Sequence, residues 1–220
     1  MPNAVVQNLI IMGAYLPILI TALYAGRYFR ALSPSLKAFS WFLWVSAVIQ
    51  GGSLLFWKLN LNNMVFLHLY LPLGFGLLTR FYQRVFEGFI RPRILWGTAI
   101  GFTLFSVLNS FLWEPWRTYN ATANAIEGIL LTIFSLATFL FLLQEVVREH
   151  KGDEHKPISW INSGLFIYYS STLLLFYFGN ILNDYQFSVE LSKRSWMIHS
   201  FFAVVEYSCF GIGLWKQVHR

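Results

Sequence analysis

Apolar residues run along this chain in long blocks, separated by short polar breaks. Seven blocks stand out, at residues 4–26, 38–58, 63–86, 94–113, 122–146, 158–182 and 195–216. The breaks between them are RYFRALSPSLK, KLNLNN, EGFIRPR, EPWRTYNA, REHKGDEHKP and NDYQFSVELSKR. A bilayer core about 30 Å thick takes about 20 apolar residues as a helix. The pattern therefore predicts an all-α, polytopic bundle of seven transmembrane helices. No break is long enough to separate domains, so residues 1–220 are expected to form one unit.

Composition agrees with the pattern. Of 220 residues, 56% are hydrophobic and 19% aromatic, and only 12% are charged, against about 25% in an ordinary soluble domain. The single cysteine, Cys209, excludes an internal disulfide and any multi-cysteine metal site. MPNAVVQNLIIMG, at the start, has no Lys or Arg ahead of its apolar stretch and no small-residue cleavage site. The first helix is expected to be retained rather than removed as a signal peptide.

Charge sets the expected orientation. Arg27, Arg30, Lys37, Arg80, Arg84, Arg91, Arg93, Arg148, Lys151, Lys156, Lys216 and Arg220 belong to one side of the bundle. Lys58, Arg117, Lys193 and Arg194 belong to the other. The positive-inside rule then puts the N-terminus outside and the C-terminus in the cytoplasm. The net charge of +6 faces anionic headgroups of the lipid bilayer, and no nucleic-acid partner is implied. Trp41, Trp57, Trp96, Trp113, Trp160 and Trp196 lie near block ends, as an interfacial aromatic belt does.

With that topology, polar residues inside the helices acquire depths. His68, Glu127 and His199 fall at similar levels in the outer half, and Gln50, Asn109 and Asn180 reach the same half from the opposite direction. His199 and Glu206 are seven residues apart in one greasy helix, about two turns, and so share a face. Tyr15 on the first helix and Tyr169 on the sixth have matching stripes. Ionisable groups at membrane depth are costly and face the bundle interior or a wet cavity. The expected ligand-binding set is thus His68, Glu127, His199, Asn180, Asn109, Gln50, Glu206, Tyr169 and Tyr15, around an outward-facing polar pocket floored by Glu206. No lysine or arginine sits at the level of Glu206, so its carboxyl is expected to be neutral and hydrogen-bonded to Tyr15 or Tyr169. Asn8, Ser46, Ser53 and Asn162 are expected to tie helices together. Pro72 removes the helical donor to the carbonyl of His68 and predicts a kink there.

Two histidines and a carboxylate are also ligand types for Zn or another divalent metal, which would use His68, Glu127 and His199. They come from three helices without a local motif such as HExxH, so no metal or other cofactor is required. No lysine lies in the core of any helix, which excludes a retinal Schiff base. There is no phosphate-binding glycine loop and no nucleophile elbow. Asn120 opens an N-A-T sequon in an expected outer loop.

PISWINSGLFIYYSSTLLLFYFGNIL and SWMIHSFFAVVEYSCFGIGLWKQ, helices six and seven, resemble small seven-helix membrane proteins of Bacteroidota-type bacteria that are associated with sensor kinases. Trp160, Asn162, Ser163, Gly164, Asn180 and His199 carry the resemblance, with His68 and Glu127 as weaker echoes; Glu206 has no counterpart in that pattern. The resemblance implies a sensory association and brings no established activity. The resulting expectation is a receptor or sensor module in the bacterial cytoplasmic membrane that binds a small ligand or ion. It would signal through a partner such as a sensor kinase, and is not expected to be an enzyme. The alternative is an intramembrane metal-dependent hydrolase acting on a lipid.

Overall fold

The computed structural model describes the backbone of residues 13–149, 152–178 and 189–219. Among them are seven α-helices: α1 Tyr15–Arg27, α2 Pro34–Lys58, α3 Met64–Val85, α4 Pro92–Leu112, α5 Ala121–Glu149, α6 Gly152–Tyr177 and α7 Val189–Val218. Five of these, α2, α3, α4, α5 and α7, are long and apolar enough to cross a membrane. Their exposed side chains are large and apolar, as on α4, where Ile100, Leu104, Leu108, Phe111 and Leu112 all point outward. These are the marks of an integral membrane protein.

Helix ends follow local chemistry more closely than hydropathy. α2 starts earlier than the apolar block because Ser33 accepts the Leu36 amide at 3.5 Å and Pro34 occupies the first turn, where a missing N–H costs nothing. Pro92 opens α4 in the same way. α2 ends where Asn60 turns left-handed at φ 55° and the Leu61 amide reaches back to the Phe56 carbonyl at 2.9 Å, a C-terminal motif that asparagine tolerates well. α5 and α6 run on into REHKGDEHKP, to Glu149 and from Gly152, because polar residues that leave the membrane can remain helical. Pro72 lies inside a continuous α3.

Each helix packs on its sequence neighbours, α7 closes the ring on α1, and α3 reaches across to α5. Lipid is as apolar as a leucine, so helix association rests on close packing and interhelical hydrogen bonds rather than on transfer from water. Trp44 Nε1 donates to the Ala22 carbonyl at 3.1 Å between α2 and α1, and Ser46 meets the Tyr70 hydroxyl at 3.1 Å between α2 and α3. Asn162 Nδ2 donates to the Ser135 carbonyl at 2.9 Å, and Tyr82 bonds both Ser135 Oγ at 2.9 Å and Asn162 Oδ1 at 3.2 Å. Ser46 and Asn162 thus tie helices together, as expected of them.

A close approach onto backbone joins α6 and α7. A Cβ on Gly164 would lie 2.9 Å from both the Cys209 Cβ and the Glu206 carbonyl, and one on Gly213 would lie 2.8 Å from the Pro157 carbonyl and Ile161. Only glycine fits there. Around this contact the half of the bundle that holds the α1–α2 and α3–α4 turns is filled by aromatic side chains. Phe39 packs on Phe210 at 4.8 Å and on Phe81 at 5.3 Å, and Phe75 on Phe102 at 4.6 Å. The other half is not filled.

Candidate functional site

A cavity of about 370 Å³ occupies that other half. It takes the N-terminal parts of α1, α3, α5 and α7 and the C-terminal parts of α2 and α6, with Tyr119 from the α4–α5 loop. The alternation of helix starts and helix ends around one space is what an up-and-down ring produces. The cavity reaches Asn63 and Met64 at the α2–α3 turn, where Trp57 is 41% exposed.

One face of α7 forms a whole wall. Trp196, His199, Ser200, Ala203, Glu206 and Tyr207 all line the space, and their spacings of three and four keep them on one helical stripe. His199 and Glu206 therefore do share a face, and it is the cavity face. His199 Nε2 pairs with the Tyr168 hydroxyl at 2.8 Å. Tyr168, Phe176 and Trp196 surround its ring at 5.6, 5.9 and 5.4 Å between centroids. Glu206 sits one turn before Phe210, at the boundary with the aromatic core. Its expected hydrogen bond to Tyr15 or Tyr169 is not formed among the described residues, although both tyrosines line the same cavity.

Glu127 lies opposite, on the first turns of α5, at 2% exposure. Its neighbour Gly128 packs against Tyr169 and Leu173 of α6, which brings the carboxyl into the cavity beside the Tyr169 ring. Glu127 and Glu206 are within electrostatic reach of each other. Oε1 of Glu127 is fully buried and has no hydrogen-bond partner among the described residues. A buried polar atom left in that state costs about 1–3 kcal/mol, so a donor supplied from elsewhere gains unusually much there. Tyr119 closes the wall above. Burial first, then the Glu127 and Glu114 carboxyls, hold its hydroxyl above the ordinary tyrosine range, so it remains a donor.

Gln50, Tyr15 and Tyr169 line the cavity with Glu127, His199 and Glu206. His68 and Asn109 do not. His68 Nδ1 meets Ser110 Oγ at 2.7 Å and Asn120 Nδ2 at 3.1 Å, and Nε2 meets the Thr118 carbonyl at 3.1 Å. A carbonyl only accepts, so Nε2 donates, and both ring nitrogens are engaged. Asn109 Nδ2 donates to Glu114 Oε2 at 2.6 Å and to Asn120 Oδ1 at 2.8 Å. Glu114 in turn accepts the Thr122 amide at 3.1 Å, a carboxylate placed on the start of α5 where the helix dipole favours it. His68 and Asn109 therefore belong to a lock that seats the α4–α5 loop, not to the pocket. Asn120 is the centre of the lock at 0% exposure, and its sequon is not a surface acceptor.

The expected metal set is not brought together among the described residues. His68 faces α4 while Glu127 and His199 face the cavity, and no group of three or more His, Cys, Asp or Glu among the described residues is placed to hold a metal ion. Asn180 and Asn8 lie outside the described residues. Ser200 Oγ turns to the Trp196 carbonyl at 2.9 Å, and His199 pairs with Tyr168.

Several of the residues missed from the sequence are tyrosines. Tyr70, Tyr119, Tyr168 and Tyr207 join Tyr15 and Tyr169 in the lining. For Tyr207 the signal was present, one residue after Glu206 and eight after His199 on the same stripe. For Tyr119, in a loop, there was none. Among the described residues lining the cavity there is no lysine or arginine: the site has two carboxyls, hydroxyl and amide groups, and π faces. No protein-family model, curated protein or solved structure matches this chain.

Proposed function

We propose that this protein is a seven-span membrane module, N-terminus outside and C-terminus in the cytoplasm, that binds a small ligand in the cavity and passes the event to a partner. The observation that carries this reading is the cavity itself, with three ionisable side chains turned into it from α5 and α7. Ionisable groups are too costly inside a membrane to be retained as filler. The cavity lies toward the end of the bundle that carries Lys58, Arg117, Lys193 and Arg194, the basic-poor end that the positive-inside rule assigns to the outside. The likeness of α6 and α7 to proteins associated with sensor kinases supports such a kinase as partner, and the bacterial inner membrane as location.

Two measurements test the reading together. A cytoplasm-active reporter fused after Arg220 should be active and a periplasm-active one silent. Ser53→Cys, at the cavity wall, should react with a membrane-impermeant maleimide added outside intact cells, while the buried Cys209 gives a low background. Labelling only in inverted vesicles would reverse the topology and end the outward-facing pocket.

A further inference from the structure

We propose that the cavity selects a small organic cation: an ammonium group on an apolar body, with the charge at Glu127 and Glu206 and the body among the tyrosines. The inference rests on the reading that this cavity binds a ligand, and adds what kind.

Charge decides the first half. Two carboxyls face the space, no described lysine or arginine does, and the imidazole of His199 is already engaged by the Tyr168 hydroxyl, so an anion would enter against two carboxyls with no ready counter-charge, in surroundings where that is unfavourable. Glu127 supplies an acceptor that is already desolvated and, among the described residues, already unpaired. An ammonium N–H satisfies it with a charge-assisted hydrogen bond, the stronger kind. Tyr119, Tyr168, Tyr169 and Tyr207 also line the space, and a cation is attracted to aromatic rings within about 6 Å of the ring centre.

Size decides the second half. A volume of about 370 Å³ falls at the lower end of small-molecule pockets, about 300–1,000 Å³. It far exceeds what a bare ion fills, and the described residues offer no three-ligand cluster for one. The surplus wall is apolar and aromatic, including Ile49, Leu67 and Phe176. That suits a hydrocarbon or aromatic body behind the charged head.

The test uses the purified full-length chain in detergent and three probes of one shape: 2-phenylethylammonium, 2-phenylethanol and phenylacetate, near neutral pH. Thermal unfolding is followed as each is titrated, since a ligand bound only to the folded state raises the midpoint. The amine should raise it at concentrations where the alcohol and the acid do not. Glu127→Gln, which keeps the shape and removes the charge, should weaken the amine response about tenfold or more. The wild-type comparison needs no variant, so a Glu127→Gln protein that failed to fold would leave the proposal open to refutation. An equal response to alcohol and amine, or a stronger one to the acid, would overturn charge selection and leave the pocket in place. So would no response to any probe in a protein whose Ser53→Cys variant is labelled from outside. An equal response to sodium chloride would assign the site to an inorganic ion and overturn the proposal. Absence of outside labelling would instead remove the pocket reading, and this inference with it.

Discussion

Asn120 shows how one side chain can hold a loop to a membrane bundle. Its Nδ2 donates to His68 Nδ1 and Ser110 Oγ, while its Oδ1 accepts from Asn109, with Asn120 at 0% exposure and its three partners at 2%. Asn120→Ala would leave one Asn109 N–H without its acceptor, while the other keeps Glu114, and would take from His68 Nδ1 the amide donor, leaving it only Ser110 Oγ. Each such orphan costs about 1–3 kcal/mol, so the variant should unfold in detergent at a clearly lower temperature than wild type. An unchanged midpoint would mean that water enters the lock. The lock also explains what depth could not tell about His68. Topology gives each polar residue a height in the membrane, but a site needs the angle around the helix as well. Within α7 the angle follows from spacing, which is why His199 and Glu206 were correctly paired. Between helices it does not, and His68, at the right height, points to α4.

Elements were legible wherever the bilayer dictates their length. The apolar blocks at 38–58, 63–86 and 94–113 match α2, α3 and α4 to within a few residues, because each break carries a proline, asparagine or arginine cluster that ends the hydrocarbon span. α5 and α6 overran their blocks, since hydropathy marks where a helix leaves lipid, not where it stops. The packing partner of each face was hidden too, and glycine is what reveals it. A Cβ added at Gly213 would lie 2.8 Å from the Pro157 carbonyl and Ile161 of α6, so Gly213→Ala must push two helices apart; overpacking of this kind costs about 1–3 kcal/mol. Gly101 on α4 has nothing within 4 Å of an added Cβ. There alanine only removes backbone freedom from the unfolded chain and should stabilise by about 0.4–1 kcal/mol. The two variants should move the thermal midpoint in opposite directions. If both lower it, the close approach of α6 and α7 is not what sets the cost.

Across the whole molecule the two ends of the bundle have different work. One end is packed with rings that touch each other, and the other keeps a space lined by Glu127, His199 and Glu206. Glu206 stands at the boundary, one turn from Phe210. Such a division predicts that stability is concentrated at the packed end. Phe39, at 0% exposure, touches Phe42, Phe81 and Phe210 at 5.6, 5.3 and 4.8 Å. Phe39→Ala should cost about 3–5 kcal/mol, toward the lower figure because the ring is not being transferred from water. Its effect comes through lost dispersion contacts and the void left behind, which neighbouring helices cannot close without breaking the α6–α7 contact. Gln50 lines the cavity and is only half-buried, so Gln50→Ala enlarges a space that already exists and removes no core contact. Its effect on unfolding should stay within about 0.5 kcal/mol. Thermal unfolding of both variants in one detergent decides the matter. If Gln50→Ala destabilises as much as Phe39→Ala, the cavity wall is holding the bundle together rather than waiting for a ligand. The polar groups facing it would then need a structural explanation.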